Sequence, residues 1–581
     1  MRPFALLASL CTLTACAGST LRPFPLEPPR TTDPDRDAVY VACRQEARDD
    51  GSKRTVCAPE PRAVPAGWDL ADTSLYSPMS RGLGIELAKP SLNVNALDEV
   101  PDSSWFSNRA GLGPDEVFRG ACAPLTESIH AALRQKLFAV DVGLETNRPV
   151  FRLREPAEVV LRGDTSKANE RATAASVIAS RLFWAAGYNV PCEDIVYVPK
   201  DSLSVKDGLL YPDTRVSRMV PLTRERVTQV LASLPTRDGA IRFQWSNPIP
   251  GYAIGPWRFE GFRRDDPNDV VPHENRREVR ASRILASWLD YYEIRAKSTM
   301  ASFISVASAQ EGASPGIVRH YFMDFAGAFG APAEPDAAQR RIGHSYGFDL
   351  EHVGADFVTL GLLSRPWYDA KPSPFPEVFG YYSADLFDPA QWKPQYANPA
   401  YSFMQDEDAA WMARVLVRLT PQLVRAAVRA GRLDNPAEEA YLASQLLRRR
   451  AMILRRYFAL RSPLSNISIR GRRICAEDLA RSSGAIAATG YSAHFYKHDD
   501  AKDAGPLLPK VEGVHVCVDV PPPDPGEFDG VGASDLRRYA VVDFTSSVVK
   551  GVLRVHVYDQ GPERELTLVG LERPRDRKPP R

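Results

Sequence analysis

Ile317-Val318-Arg319-His320-Tyr321-Phe322-Met323-Asp324-Phe325-Ala326-Gly327 is where the fold of this chain can be read most directly. The apolar and aromatic run from Ile317 to Met323 predicts a strand, and the Asp-Phe that follows sets the Asp324 carboxylate at the strand's end, facing a cleft. Just upstream, Ser302 to Val306 predicts a second strand, joined to the first by a Gly/Ser/Pro-rich turn. Glu274 to Tyr292 predicts a helix carrying Val279, Ile284, Leu285, Trp288 and Leu289. Further upstream, Val150 to Leu153 and Val159 to Leu161 read as strands. A helix follows in which Ala175, Ile178, Ala179, Leu182, Phe183 and Ala186 fall on one face and Gly187 supplies the C-terminal cap. Ile195 to Val198 is the next strand, so this region has the order of a small mixed lobe. Downstream, Asp406 to Leu460 is helical, with Asn435-Pro436 as cap and first-turn proline. Its inward side carries Leu442, Leu446, Ile453 and Leu460, and Arg448, Arg449, Arg455 and Arg456 are placed opposite. Beyond Pro463 the period shifts toward two, and Leu553, Val555 and Val557 face Leu566 and Leu568 across Asp559-Gln560-Gly561-Pro562, a hairpin signal.

The chain has 581 residues, 44% of them hydrophobic, which suffices for a packed core and suggests two to four domains. Its 49 prolines predict many ordered turns. Lys+Arg 73 against Asp+Glu 72 leaves almost no net charge, so neither nucleic acid nor an electrostatically bound membrane is predicted as a partner. Of eight cysteines, Cys11 and Cys16 lie at the N-terminus, leaving an even set of six. In an oxidising compartment such a set favours disulfides, with Cys43–Cys57 and Cys475–Cys517 preferred because each closes a local loop.

At the N-terminus, Arg2 precedes an apolar run from Phe4 to Leu13, too short to span a membrane and therefore read as a cleaved targeting segment. Leu13-Thr14-Ala15-Cys16 resembles the lipobox of bacterial lipoproteins, which implies an acylated Cys16 as the new N-terminus. Ala17 after it implies delivery to the outer membrane. No later segment is long and apolar enough to span, so the acyl chains are the expected membrane attachment. The expected organisation is a signal peptide over 1–15, a Pro- and Thr-rich flexible tether over 16–37, an irregular wrapping segment over 38–121, a core over 122–463 and a β-rich domain over 464–581.

The order small lobe, helix, polar loop, strand, Asp-Phe is that of kinase-like phosphotransferases. Three stretches, Asn95 to Arg109, Asp265 to Glu274 and Phe322 to Phe325, resemble a family of uncharacterised envelope lipoproteins from acidobacteria and myxobacteria. That family is distantly similar to atypical kinases of the HipA, CotH and phosphatidylinositol-kinase kind. The resemblance covers most of Asn95 to Leu460 and implies a two-lobed protein-kinase-like core there; with the wrapping N-terminal segment and the small C-terminal β-domain read from the residue pattern, the expected fold is α+β. Where the family has Leu-Lys-Phe-Asp this chain has Leu161-Arg162-Gly163-Asp164. Where the family's helix has Ala-Glu-Val-Ile the chain has Ala175-Ser176-Val177-Ile178. The family loop Asn-His-x-Asp, with an Asn five residues on, corresponds to Asp290-Tyr291-Tyr292-Glu293 and Ser298, and only Asp324 is unchanged. The implied roles are Arg162 toward phosphates, Glu293 as base or positioning carboxylate, and Asp324 with Ser298 for Mg or Mn, with ATP as donor. Arg162 is not a compact ammonium, Ser176 makes no ion pair and Ser298 is a poorer ligand than an amide oxygen, so the site reads as degenerate. No cofactor is firmly expected.

Other motifs carry less. Gly312-Ala313-Ser314-Pro315-Gly316 matches G-x-S-x-G, but the proline and the turn-like composition read as a loop. His273-Glu274 lacks a second histidine at zincin spacing and reads as a helix opening. Asp265, Asp266 and Asp269 read as a hydrogen-bonded turn ahead of a calcium site. Trp105 and Phe106 read as anchors of the wrapping segment ahead of an exposed ligand platform. The sequence therefore predicts a lipid-anchored envelope protein with a degenerate kinase-like core used for binding. An active atypical phosphotransferase and an outer-membrane assembly or glycan-binding lipoprotein are the alternatives.

Overall fold

The alternation around Val318 and His320 becomes the longest strand of the larger unit among the described residues. In the computed structural model, Ala313–Phe322 pairs antiparallel with Thr299–Ser305, from Thr299 opposite Phe322 to Ser305 opposite Gly316. The structure describes residues 23–47, 51–63, 71–72, 76, 89–122, 126–133, 135, 137–145, 148–153, 158–165, 168–205, 208–213, 218–221, 223–232, 234–308, 312–330, 337–487, 490–498, 501–576, 578 and 580. The strand begins earlier than the sequence suggests, because Val39–Ala42 pairs along Ala313 to Gly316 and takes up backbone groups that a loop would give to water. The Gly/Ser/Pro-rich string is thus mostly strand. Tyr252–Gly255 completes this four-stranded sheet on the far side of Thr299–Ser305.

A second, larger sheet is built from Leu137–Glu145, Arg148–Leu153, Val159–Gly163, Ala240–Ser246 and short flanking strands, with Glu193–Pro199 also paired to Ala240–Ser246. Phe151, Leu161, Val196, Phe243 and Trp245 form its apolar core. The expected helix runs from Arg171 to Ala186 and ends at Gly187, whose φ of 118° suits glycine and whose N–H reaches back to the Phe183 and Trp184 carbonyls. Predicted to bury one face, it is buried on nearly all sides, because it lies between the sheet and the helices that follow. Asp164 caps its start, accepting the Ala172 and Thr173 N–H groups at 3.0 and 3.1 Å.

The helices Arg277–Leu289, Asp406–Arg418, Pro421–Ala430 and Pro436–Leu460 enclose a separate core that includes Leu285, Trp288, Trp411, Leu446 and Phe458. Asn435 Oδ1 accepts from Ala437 N at 3.0 Å, the cap the sequence indicates. One arginine departs from expectation. Arg449 is buried, its guanidinium lying 4.5 Å from the Tyr382 ring centroid and 4.0 Å from that of Phe387, and it donates to the Ser287 carbonyl at 2.7 Å. The segment carrying Tyr382 and Phe387 covers a face that looks solvent-directed from periodicity alone.

The wrapping segment is anchored as expected: Trp105 and Phe106 are buried, Trp105 stacks on His320 at 3.5 Å, and Phe106 meets Trp411 edge-on. Asp33 N–H donates to the Asp102 carbonyl, and buried Asp35 accepts from Ser104 N at 3.0 Å. These residues, read as part of a flexible tether, are held in place. The lipobox and signal residues lie outside the described residues.

The chain divides into two units, one of 30–463 with 479–488, the other of 464–478 and 489–581 with the N-terminal residues up to Pro29. The second unit contains two antiparallel sheets. In one, Leu464–Arg470, Arg473–Asp478, His515–Asp519 and Lys510–Glu512 lie in that order. In the other, the order is Lys502–Leu507, Tyr491–Lys497, Tyr539–Ser546, Leu553–Tyr558 and Thr567–Glu572, which includes the predicted hairpin. Phe24 N–H donates to the Tyr539 hydroxyl at 3.1 Å, so the described N-terminal residues belong to this unit from the start. The fold is mixed α+β with several antiparallel sheets and, among the described residues, no barrel. Disulfides join Cys43 to Cys57 and Cys475 to Cys517, as expected, and Cys122 to Cys192 as a third. No helix among the described residues is long and apolar enough to cross a membrane.

Candidate functional site

Asp324 stands at the end of its strand, exposed, with φ 61° and ψ 52°, a left-handed conformation that turns the chain sharply into Phe325–Gly327. Beneath it lies the loop that leaves the Arg277–Leu289 helix. Asp290 ends that helix with φ 50°, its N–H returned to the Ala286 and Ser287 carbonyls. Tyr291 sends its hydroxyl to the carbonyls of Met323 and Asp324, and Met323 N–H donates to the Ser298 carbonyl at 3.0 Å. The loop is thereby stitched to the strand end at two points.

Glu293 occupies the middle of that loop, half-buried, with its carboxylate against Gly327. A Cβ at Gly327 would lie 3.0 Å from Glu293 Oε2, so the residue after Asp324-Phe325-Ala326 must be small for this carboxylate to sit where it does. Burial pushes the Glu293 carboxyl up and the Asp324 charge pushes it further, against the pull of Arg295 and Lys297. Ser298 is buried, and its hydroxyl donates to the Glu293 carbonyl at 3.2 Å. That bond closes the loop; the serine is engaged in holding Glu293 in place.

From the sheet side, Arg162 extends from Val159–Gly163 and donates to Ser246 Oγ at 3.0 Å. Opposite Ser246, at the start of the next strand, is Glu193. This residue is 5% exposed, and its Oε2 has no hydrogen-bond partner. Burial raises its carboxyl to about 7; Arg162 opposes that rise, Asp324 adds to it, and Arg181 and Arg148 oppose it. Arg162, Glu193, Asp324 and Glu293 therefore share one electrostatic neighbourhood, in which Asp324 acts on both glutamates. The sequence reading singled out three of the four. Glu193 was missed because a glutamate opening a strand after Pro191-Cys192 looks like a surface residue; it follows directly on the Cys122–Cys192 disulfide.

Ser176, at the place where the resembled family has its helix glutamate, is buried in the Arg171–Ala186 helix. Asp324 and Glu293 are the carboxylates suited to a divalent cation here and Arg162 the cation suited to a phosphate, whereas Ser298 is buried and gives its hydroxyl proton to the Glu293 carbonyl. Among the described residues no three His, Cys, Asp or Glu side chains gather closely enough to hold a metal ion.

The other motifs are structural. Asp266 and Asp269 form the expected turn: Asn268 N donates to Asp266 Oδ1, and Asp269 Oδ2 accepts from His273 at 2.8 Å. His273 belongs to a short 3-10 turn ahead of the helix, where Glu274 accepts from Gly261 N at 2.7 Å. A cavity of about 320 Å³ is lined by Asp290, Arg340, His344, Trp392 and Arg449 among others, and includes none of Arg162, Glu193, Glu293 or Asp324. No family model, no curated protein and no solved structure matches this chain.

Proposed function

We propose that this chain is a lipid-anchored protein of the bacterial outer membrane whose 122–463 region is a two-lobed, kinase-like core kept for binding. The anchor rests on Leu13-Thr14-Ala15-Cys16, and the family resemblance rests on the three stretches quoted above. What carries the binding reading is the use made of two positions that phosphoryl transfer requires. Ser298 is tied to the Glu293 carbonyl, and Ser176 is packed in a helix where an ion-pairing acid would be needed. A charged cluster of Arg162, Glu193, Glu293 and Asp324 suits a phosphate-bearing or polyhydroxyl ligand of the envelope, such as a glycan or the exposed part of a partner protein.

The second reading is an active metal- and ATP-dependent phosphotransferase, favoured by the way Asp324 bears on both Glu193 and Glu293. Under it Glu293 positions the acceptor, Asp324 holds Mg or Mn, and Arg162 meets the phosphates. A thermal-shift titration of the full chain with ATP and magnesium or manganese separates the two. Metal-dependent stabilisation that disappears in Asp324→Ala assigns the phosphotransferase; an unchanged melting curve in both proteins assigns the binding core. Radioactive palmitate labelling tests the anchor independently, through loss of label in Cys16→Ser.

A further inference from the structure

The Leu350–Val358 helix has no buried residue, and the turn that leaves it is apolar. Phe357, Val358, Leu360 and Leu362 are 82, 81, 87 and 86% exposed. Isolated exposed leucines are ordinary, but four large apolar side chains within six positions form a patch of the kind that marks an interaction site. The turn is well built. Asp349 caps the helix, Thr359 N–H bonds the Ala355 carbonyl, Gly361 N–H bonds the Asp356 carbonyl at 2.8 Å, and Leu362 N–H bonds the Thr359 carbonyl. Gly361 has φ 76°, which a glycine supplies without strain. These bonds fold the turn with the side chains outward, Leu360 itself taking a left-handed φ of 51°.

The surroundings select the occupant. Thr359 to Ser364 carries no charge. At the base of the tip Lys393 reaches Asp349 and Glu351 at 3.0 Å, and Arg365 reaches Asp356 at 2.6 Å. Immediately after come Trp367, Tyr368 and Lys371, the amphipathic and cationic residue types that settle at the headgroup level of a bilayer. Four apolar side chains that are each more than four-fifths exposed can be met by a fluid acyl phase without a preformed groove. The expected acylation of Cys16 also places the chain beside such a phase.

We propose that the 357–363 tip inserts into the interfacial layer of a phospholipid bilayer, with Trp367, Tyr368 and Lys371 at headgroup depth. Insertion rests on the proposed lipid anchor only for bringing a membrane within reach; the contact itself needs no acyl chain. The test is amide hydrogen exchange of the full chain carrying Cys16→Ser, with and without vesicles of phosphatidylethanolamine and phosphatidylglycerol. Vesicles are expected to slow exchange over 350–363 and leave Pro421–Ala430 unchanged. Leu360→Asp combined with Leu362→Asp should weaken that protection by at least about tenfold, the order expected for keeping two leucines in water. The melting curve should not move, because both side chains are exposed. Exchange unaffected by vesicles overturns the proposal. So does protection that rises with protein concentration alone alongside a dimer in sedimentation, which would assign the tip to a second copy of the chain. Absence of palmitate label would defeat the anchor and leave this result standing.

Discussion

Tyr291 holds Asp324 in place through the backbone, its buried hydroxyl donating to the Met323 and Asp324 carbonyl oxygens at 2.8 and 3.1 Å. Burial raises the Tyr291 pKa well above its ordinary value, so the phenol remains a neutral donor throughout the accessible pH range. Tyr291→Phe leaves two carbonyls short of a donor at the point where the chain is left-handed. The expected loss is about 1–3 kcal/mol in urea denaturation, together with any ligand response that depends on Asp324.

Glu193 sets a pH dependence. Its folded carboxyl is raised from 4.5 to about 7, so the folded state holds more protons than the unfolded chain between those values. The associated stability is fully present below the unfolded value and is lost as pH rises through the folded one. Glu193→Gln should therefore stabilise the protein at pH 8 by up to about 3 kcal/mol and change little at pH 4, measured by denaturation across that range. Asp35, raised to about 7, and Asp266, raised to about 6, act in the same direction and will leave a residual slope.

The three disulfides close loops of different length, with separations of 70, 42 and 14 residues for Cys122–Cys192, Cys475–Cys517 and Cys43–Cys57. Chain entropy then ranks their removal in that order, from about 4.5 through about 4 to about 3 kcal/mol. Paired Cys→Ala variants compared by denaturation check the ranking. Loss of Cys122–Cys192 should additionally free the start of the Glu193–Pro199 strand and move the pH dependence described for Glu193.

Gly187 is pressed against the wrapping segment. A Cβ there would collide with the Phe106 ring and come within 2.7 Å of the Ser107 carbonyl, and its φ of 118° is unfavourable for any other residue. Gly187→Ala should cost roughly 1–3 kcal/mol and loosen the segment around Trp105 and Phe106, seen as faster proteolytic cleavage near Arg109.

Much of the local structure could be read from residue patterns. The Gly187 cap, the Asn435-Pro436 helix start and the Leu553–Tyr558 hairpin each depend on a handful of neighbours, and each lies where the pattern puts it. The strand leading to Asp324 and the loop holding Glu293 were legible for the same reason. Arg449 was not, because a covering segment distant in sequence turns an apparently outward guanidinium into a buried one. Ala313 to Gly316 was not, because only pairing with Val39–Ala42 makes a strand of residues whose own preference is for a turn.

By itself the sequence determined the order of elements, the caps, two of the three disulfide pairs and the identity of the charged residues at the candidate site, because these follow from periodicity, backbone chemistry and residue type over short distances. The tertiary structure alone decided that Glu193 joins Arg162, Glu293 and Asp324, that Ser298 is spent on its own loop, and that Phe357 to Leu362 stand in water. Desolvation and exposure depend on everything packed around a side chain, and most of what packs around these comes from remote parts of the chain.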